Sequence, residues 1–217
     1  MTVDVIKLRI SEIFFSLQGE TRTVGLPTTF VRLTGCPLRC RYCDTSYAFT
    51  GGDWMTLDEI LEQVAIHSAK HVTVTGGEPL AQPNCIPLLT ALCQLGYKVS
   101  LETSGALDIA AVDERVVKVM DLKTPASAES EKNLWSNLDH LSENDQIKFV
   151  ICNELDYEWC KARMLEHKLE ERCEVLLSPS QDELSPSVLA DWILRDKLNV
   201  RFQVQLHKVL WGDEAGR

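Results

Sequence analysis

The segment HVTVTGGEP, residues 71–79, runs from alternating β-branched residues into two glycines and a carboxylate. Val, Thr, Val, Thr in sequence predicts a short strand over residues 71–75, and the glycines after it predict a turn. The same kind of run recurs at 28–33, 98–102, 116–122, 146–151, 174–178 and 201–205. Helical patterns fall between several of these runs. TLDEILEQVAIHSA, from Thr56, has apolar positions at 57, 60, 61, 64 and 65, and Thr56 with Glu59 fits a capping box. CIPLLTALCQL, LDYEWCKARMLEHKLEE and SPSVLADWILRDKL predict further helices. Strand alternating with helix predicts parallel βαβ units, because a parallel crossover needs a dozen or so residues.

Polar residues at the ends of the strands choose between the two parallel architectures. They are Thr75 with GGEP, Glu102 with TSG, Asp121 and Lys123, Ser178, and Gln205 with His207. Such groups at the carboxyl ends of many successive strands belong to a barrel-type α/β enzyme, whereas a doubly wound sheet concentrates them at one switch point. At 217 residues the chain is shorter than a full eight-unit barrel of roughly 250 residues. The expected fold is α/β, an open, partial parallel β/α barrel of about six units. No linker, repeat or low-complexity stretch divides the chain, so residues 1–217 are read as a single domain.

The net charge is −10, from 32 acidic and 22 basic side chains. A surface of that sign repels phosphate backbones, and no basic patch offsets it; EHKLEER, residues 166–172, mixes both signs as a solvated helix face does. No run approaches the length of a membrane span either, so a small-molecule substrate is expected, with no nucleic acid and no membrane as partner. The N-terminal MTVDVIKLRI lacks the build of a secretory signal, which points to the cytoplasm. Thiols stay reduced there, which disfavours disulfides among the eight cysteines.

Three of those cysteines, Cys36, Cys40 and Cys43, lie within TGCPLRCRYCDTSYAF, residues 34–49. Structural zinc needs four closed ligands, usually from paired CxxC elements. The next cysteine here is Cys85, and the chain has neither a second CxxC nor an HxxxH. Three thiolates on a short loop instead suit an iron–sulfur cluster with one iron left open. A metal-binding module without catalysis is the alternative from another functional class.

The CxxxCxxC spacing resembles the radical S-adenosylmethionine superfamily, in which S-adenosylmethionine chelates the open iron of a [4Fe-4S] cluster. Tyr42 matches the aromatic residue often found before the third cysteine, TVTGGEP (73–79) the glycine-rich element, and LETSG (101–105) a polar strand end. FFSLQGET (14–21), FVRLTGCPLRCRYCDT (30–45), DLKTP (121–125) and VQLHKVLWG (204–212) narrow the resemblance to the 7-carboxy-7-deazaguanine synthase family, over nearly the whole chain. Glycyl-radical activating enzymes, which generate a protein radical, are the runner-up. They usually continue from the third cysteine with His-Asn-Pro, where this chain has Asp44-Thr45-Ser46.

The resemblance implies a radical lyase that converts 6-carboxy-5,6,7,8-tetrahydropterin to 7-carboxy-7-deazaguanine with loss of ammonia, for 7-deazapurine compounds such as queuosine. It implies a radical SAM partial barrel with Cys36, Cys40 and Cys43 as cluster ligands. Tyr42, Cys43, Asp44, Gly76, Gly77, Glu78, Glu102, Ser104, Asp121, Lys123, Ser178 and Gln181 are expected around S-adenosylmethionine. Leu17, Gln18, Gly19, Glu20, Arg32, Thr75, Gln205 and His207 are expected around the pterin. Arg32 suits its carboxylate, because a planar guanidinium holds one with two charge-assisted hydrogen bonds. The resemblance assigns Mg2+ to Thr45; one hydroxyl is a poor site alone, so magnesium is expected to bind with substrate. It also implies a homodimer, and a flavodoxin or ferredoxin as electron donor. The remaining cysteines, Cys85, Cys93, Cys152, Cys160 and Cys173, are read as core packing.

Overall fold

The computed structural model describes residues 5–212 together with 214 and 216, so parts of MTVDVIKLRI and of the tail WGDEAGR lie outside the described residues. A nine-stranded sheet runs in the order β3-β1-β2-β4-β5-β6-β7-β8-β9. Its strands are β1 (Lys7–Leu17), β2 (Pro27–Leu33), β3 (Asp53–Thr56), β4 (His71–Gly76), β5 (Lys98–Thr103), β6 (Val117–Asp121), β7 (Gln146–Ile151), β8 (Glu174–Pro179) and β9 (Arg201–Phe202). From β2 to β9 every neighbouring pair is parallel, and six crossovers join these strands. Four of the crossovers carry α-helices: α1 (Leu57–Ile66), α2 (Cys85–Gln94), α3 (Glu154–His167) with α4 (Leu169–Arg172), and α5 (Pro186–Asp196). The links from β5 to β6 and from β6 to β7 use turns and 3-10 helices instead.

The expected open barrel with its parallel strands is present, and two pairings add an antiparallel edge to it. Both β2 and β3 pair antiparallel with β1, so the sheet is mixed. The sequence pattern of β1 hides it because the β1–β2 register shifts between Ile10 and Glu12. A bulge of that kind breaks the two-residue period, and KLRISEIFFSL no longer alternates cleanly. The predicted strand at 201–205 is shortened to two residues, and Gln205 precedes a further helix, α6 (Leu206–Trp211), that carries His207. The single helix expected over 155–171 is divided where Lys168 adopts a left-handed φ of 50°.

Alternation within each parallel strand separates the two faces. Val31, Val74, Leu101, Met120, Phe149 and Leu177 are buried in one apolar cluster with α-helical residues such as Ile60, Val64, Leu88, Leu92, Tyr157 and Leu189. The capping box predicted for α1 is present, with Thr56 and Glu59 each satisfying the other's backbone N–H. The opposite, concave face carries the polar side chains Arg32, Thr73, Thr75, Ser100, Glu102, Asp121 and Lys148 beside the apolar Phe30 and Val119. Since β1 ends beside the start of β2, the LQGE segment lies at the amino ends of the parallel strands. From there it crosses the sheet: Arg22 N–H donates to Gln146 Oε1 (2.8 Å) at the start of β7, and Thr21 N–H donates to Gln203 Oε1 (2.8 Å). The segment forms a floor, and the helix α6 bridges the open side through Leu206 N–H to Gly19 O (2.9 Å). Among the described residues no helix is long and apolar enough to cross a membrane.

Candidate active site

A cavity of about 790 Å³ occupies the concave face, within the roughly 300–1,000 Å³ usual for ligand sites. Every residue expected around cluster, cofactor, substrate or magnesium lines it except Glu78. Glu78 is fully buried and faces the protein. Its carboxylate accepts from Thr103 Oγ1 (2.9 Å), Ser104 N (2.7 Å), Ser104 Oγ (2.6 Å) and Leu80 N (3.0 Å). The expected cofactor contact is thus corrected to a tie between the ends of β4 and β5.

The cysteine loop is held from several sides. Gly35 N–H donates to Ala48 O (2.8 Å), Arg41 N–H to Ser127 O (3.0 Å), and the Arg39 guanidinium sits 4.4 Å over the Phe49 ring. A Cβ on Gly77 would fall 2.4 Å from Gly35 O and 2.7 Å from Cys36 Cβ. Glycine is therefore needed where β4 passes the loop, while its other side borders the cavity. Burial pushes the Cys40 thiol up to about 11, against the pull of Lys123, and burial raises Cys36 and Cys43 too. An incoming metal must displace their protons. Among the described residues, no three His, Cys, Asp or Glu side chains converge on a single metal ion. Three separate thiols suit a [4Fe-4S] cluster, in which each binds its own iron. On this donor set, and with the glycine backbone beside it, the residues fit a cluster and S-adenosylmethionine.

Next to the loop, charges alternate across the strands. Lys123 Nζ pairs with Asp121 Oδ1 (3.1 Å), and Lys148 Nζ pairs with Asp121 Oδ2 (3.4 Å) and with Glu20. Burial opposes both lysine charges, yet Asp121 keeps Lys123 protonated and the Glu20, Asp121 and Glu102 carboxylates keep Lys148 so. Gln18 Nε2 donates to Thr73 Oγ1 (3.2 Å) and Glu102 Oε1 (3.3 Å), and Thr75 Oγ1 donates to Glu102 Oε2 (3.2 Å). Burial raises Glu102 above the ordinary carboxylate range. Gln18 and Thr75 thus reach the cavity with their donors shared with Glu102. His207 lies against Gly19, where a Cβ would fall 2.1 Å from Nδ1; burial lowers the imidazole's affinity for a proton. Ser178 and Gln181 border the cavity from the end of β8 and the loop after it.

Lys148, Glu12, Tyr47 and Phe14 line the cavity as well and escape the sequence reading. Lys148 had a usable signal, a lone charge in the apolar strand QIKFVI. Glu12 and Phe14 sit on the strand hidden by the bulge. Arg32, the expected carboxylate ligand, is half-buried, with Nε donating to Glu12 Oε1 (2.6 Å).

A family model for the radical SAM superfamily matches residues 30–123. A 7-carboxy-7-deazaguanine synthase from Chlorobaculum tepidum is 44% identical over 211 residues, spanning 96% of each chain. One from Koribacter versatilis is 42% identical, spanning 96% of this chain and 99% of its own. The solved structure of QueE from Escherichia coli superposes with a TM-score of 0.77 at 23% identity, covering 92% of this chain and 94% of that one. At that identity the superposition supports the partial-barrel fold.

Proposed function

The chain belongs to the 7-carboxy-7-deazaguanine synthase family of the radical S-adenosylmethionine superfamily, and from that premise we propose how its cavity divides the work. Its activity is the family's, synthesis of 7-carboxy-7-deazaguanine for 7-deazapurine compounds such as queuosine. We take the substrate to be 6-carboxy-5,6,7,8-tetrahydropterin. Support comes chiefly from one observation: the three cluster cysteines open onto the same cavity as Arg32, a residue type able to hold a carboxylate with two hydrogen bonds.

Cys36, Cys40 and Cys43 would hold the cluster. The Gly76–Gly77 backbone, Tyr42, Ser104, Asp121, Lys123, Ser178 and Gln181 would surround S-adenosylmethionine. When bound and reduced by an external one-electron donor, cluster and S-adenosylmethionine would supply a 5′-deoxyadenosyl radical, the hydrogen-abstracting chemistry that this reading directs at C6 of the pterin. The protein binds, orients and shields the reacting molecules. Arg32 holds the carboxylate, while Gln18, Glu20 and His207 border the pterin from the floor and from α6. Glu102 moves to the substrate's side of the cavity in this reading, because its partners are Gln18 and Thr75. With pterin deuterated at C6, label should enter recovered S-adenosylmethionine at the 5′ carbon; unlabelled cofactor after many turnovers would refute this hydrogen path.

We read Thr45 as the protein's ligand for magnesium. Its hydroxyl donates to Asp44 Oδ1 (2.8 Å), which leaves the oxygen lone pairs for a cation. Burial opposes charge on Asp44, but hydrogen bonds from Thr45 and Gln205 hold it below the usual carboxylate range. One hydroxyl beside one carboxylate still leaves most of an octahedral shell to water and substrate. Calorimetric titration with magnesium should give little heat without pterin and clear binding with it; tight binding to the pterin-free protein would contradict this. The electron donor is read as a flavodoxin or ferredoxin and the assembly as a homodimer, both on family resemblance.

A further inference from the structure

We propose that Glu12 and Tyr47 are positioning residues that aim Arg32, so that its two terminal nitrogens receive the substrate's carboxylate end-on. This rests on the pterin reading above. A guanidinium has two edges that can each hold a carboxylate, one formed by Nε with a terminal nitrogen and one by the two terminal nitrogens. Glu12 occupies the first, with Oε1 accepting from Arg32 Nε at 2.6 Å. The same oxygen accepts the Tyr47 hydroxyl at 2.7 Å. The second edge makes no hydrogen bond to any described residue, and Arg32 lines the cavity.

Both partners come from places built to aim side chains. Glu12 stands where the β1–β2 register shifts, and bulges commonly redirect a side chain toward a site. Tyr47 lies on a short 3-10 helix, Ser46–Phe49, four residues after the last cluster cysteine and two after Thr45. The guanidinium carbon lies 5.8 Å from the Phe14 ring centre and 5.8 Å from that of Tyr47, which limits its swing. Tyr47 has a second effect. Glu12 is an anion beside the cation that the substrate must reach, and the Tyr47 hydroxyl takes up part of that charge. Without it, Arg32 is drawn more fully onto Glu12 and away from the cavity.

The test measures equilibrium binding of two pterins to the reconstituted protein with S-adenosylmethionine and magnesium, without reductant so that nothing turns over. One is 6-carboxytetrahydropterin and the other 6-methyltetrahydropterin, which lacks the carboxylate. Wild type should prefer the carboxylate; Arg32→Ala should cut that preference at least about tenfold, the remainder being the carboxylate's contact with magnesium. Tyr47→Phe, at a residue 60% exposed and so safe for folding, should cut the preference about tenfold, the scale of one hydrogen bond to a charged group. Binding of the methyl compound should stay unchanged, a result that a general loosening of the site would not give. If Tyr47→Phe keeps the full preference, or weakens both pterins equally, the positioning role is overturned. If wild type shows no preference, the substrate reading itself fails.

Discussion

Replacing Cys40 with alanine should abolish both the iron–sulfur absorbance of reconstituted protein and all cleavage of S-adenosylmethionine. Two remaining thiolates cannot hold the cluster against exchange, and no other cysteine is placed to replace the third. Cys85, Cys152, Cys160 and Cys173 are buried, and neither they nor Cys93 line the cavity onto which the three loop cysteines open. The fold itself should survive, since only one sulfur atom leaves a half-buried position. Cys85→Ala provides the control: it sits in the core among apolar side chains and should cost about 1 kcal/mol of stability while retaining cluster and activity. A Cys40→Ala protein that keeps its cluster, or a Cys85→Ala protein that loses it, would contradict the assignment of the three ligands. Visible absorbance and iron content of both variants decide the matter.

Lys148→Met should destabilise the protein by about 3 kcal/mol at neutral pH, the low end for removing one partner of a buried ion pair. The low end applies because the lysine borders a cavity that water can enter. For a chain of this length that lowers the melting temperature by roughly 6–12 °C. The cost arises because Glu20 loses its cation and Asp121 loses one of two. The pH dependence has a definite sign. Although burial opposes its charge, Asp121 is held below its ordinary pKa by Lys123 and Lys148. That contribution is present above the unfolded carboxylate pKa and disappears as pH falls through the folded value. Lys148 is shifted upward, so its contribution persists to strongly alkaline pH. The gap between wild type and variant should therefore be widest near pH 7 and narrow toward pH 3. Thermal unfolding of the cluster-free proteins across that range checks it; an equal gap at both ends would show that lost packing, and not charge, sets the cost.

Much of this was legible in the sequence because the relevant signals are local. The parallel strands are short apolar runs whose last residues turn polar, and the cysteine spacing is complete within eight residues. Three kinds of information were not local. The bulge at Ile10–Glu12 erased the alternation of β1, and with it the antiparallel edge and the partners of Arg32. Glu78 reads like a ligand beside two glycines, but only its surroundings reveal that four protein donors already consume it. The LQGE segment looks like one more strand end; its position on the opposite rim follows from the direction of β1, which no short stretch encodes. Lys148 stands between these cases. A charge inside QIKFVI was visible, and its meaning depended on Glu20 and Asp121, far away in sequence.

One cavity both generates the radical and uses it on a pterin. The direct measurement is anaerobic incubation of reconstituted protein with 6-carboxytetrahydropterin, S-adenosylmethionine, magnesium and a strong reductant, followed by chromatography and mass spectrometry. 7-Carboxy-7-deazaguanine and ammonia should form in equal amounts, in excess over the S-adenosylmethionine consumed. S-adenosylmethionine cleavage with the pterin recovered unchanged would contradict that use of the cavity.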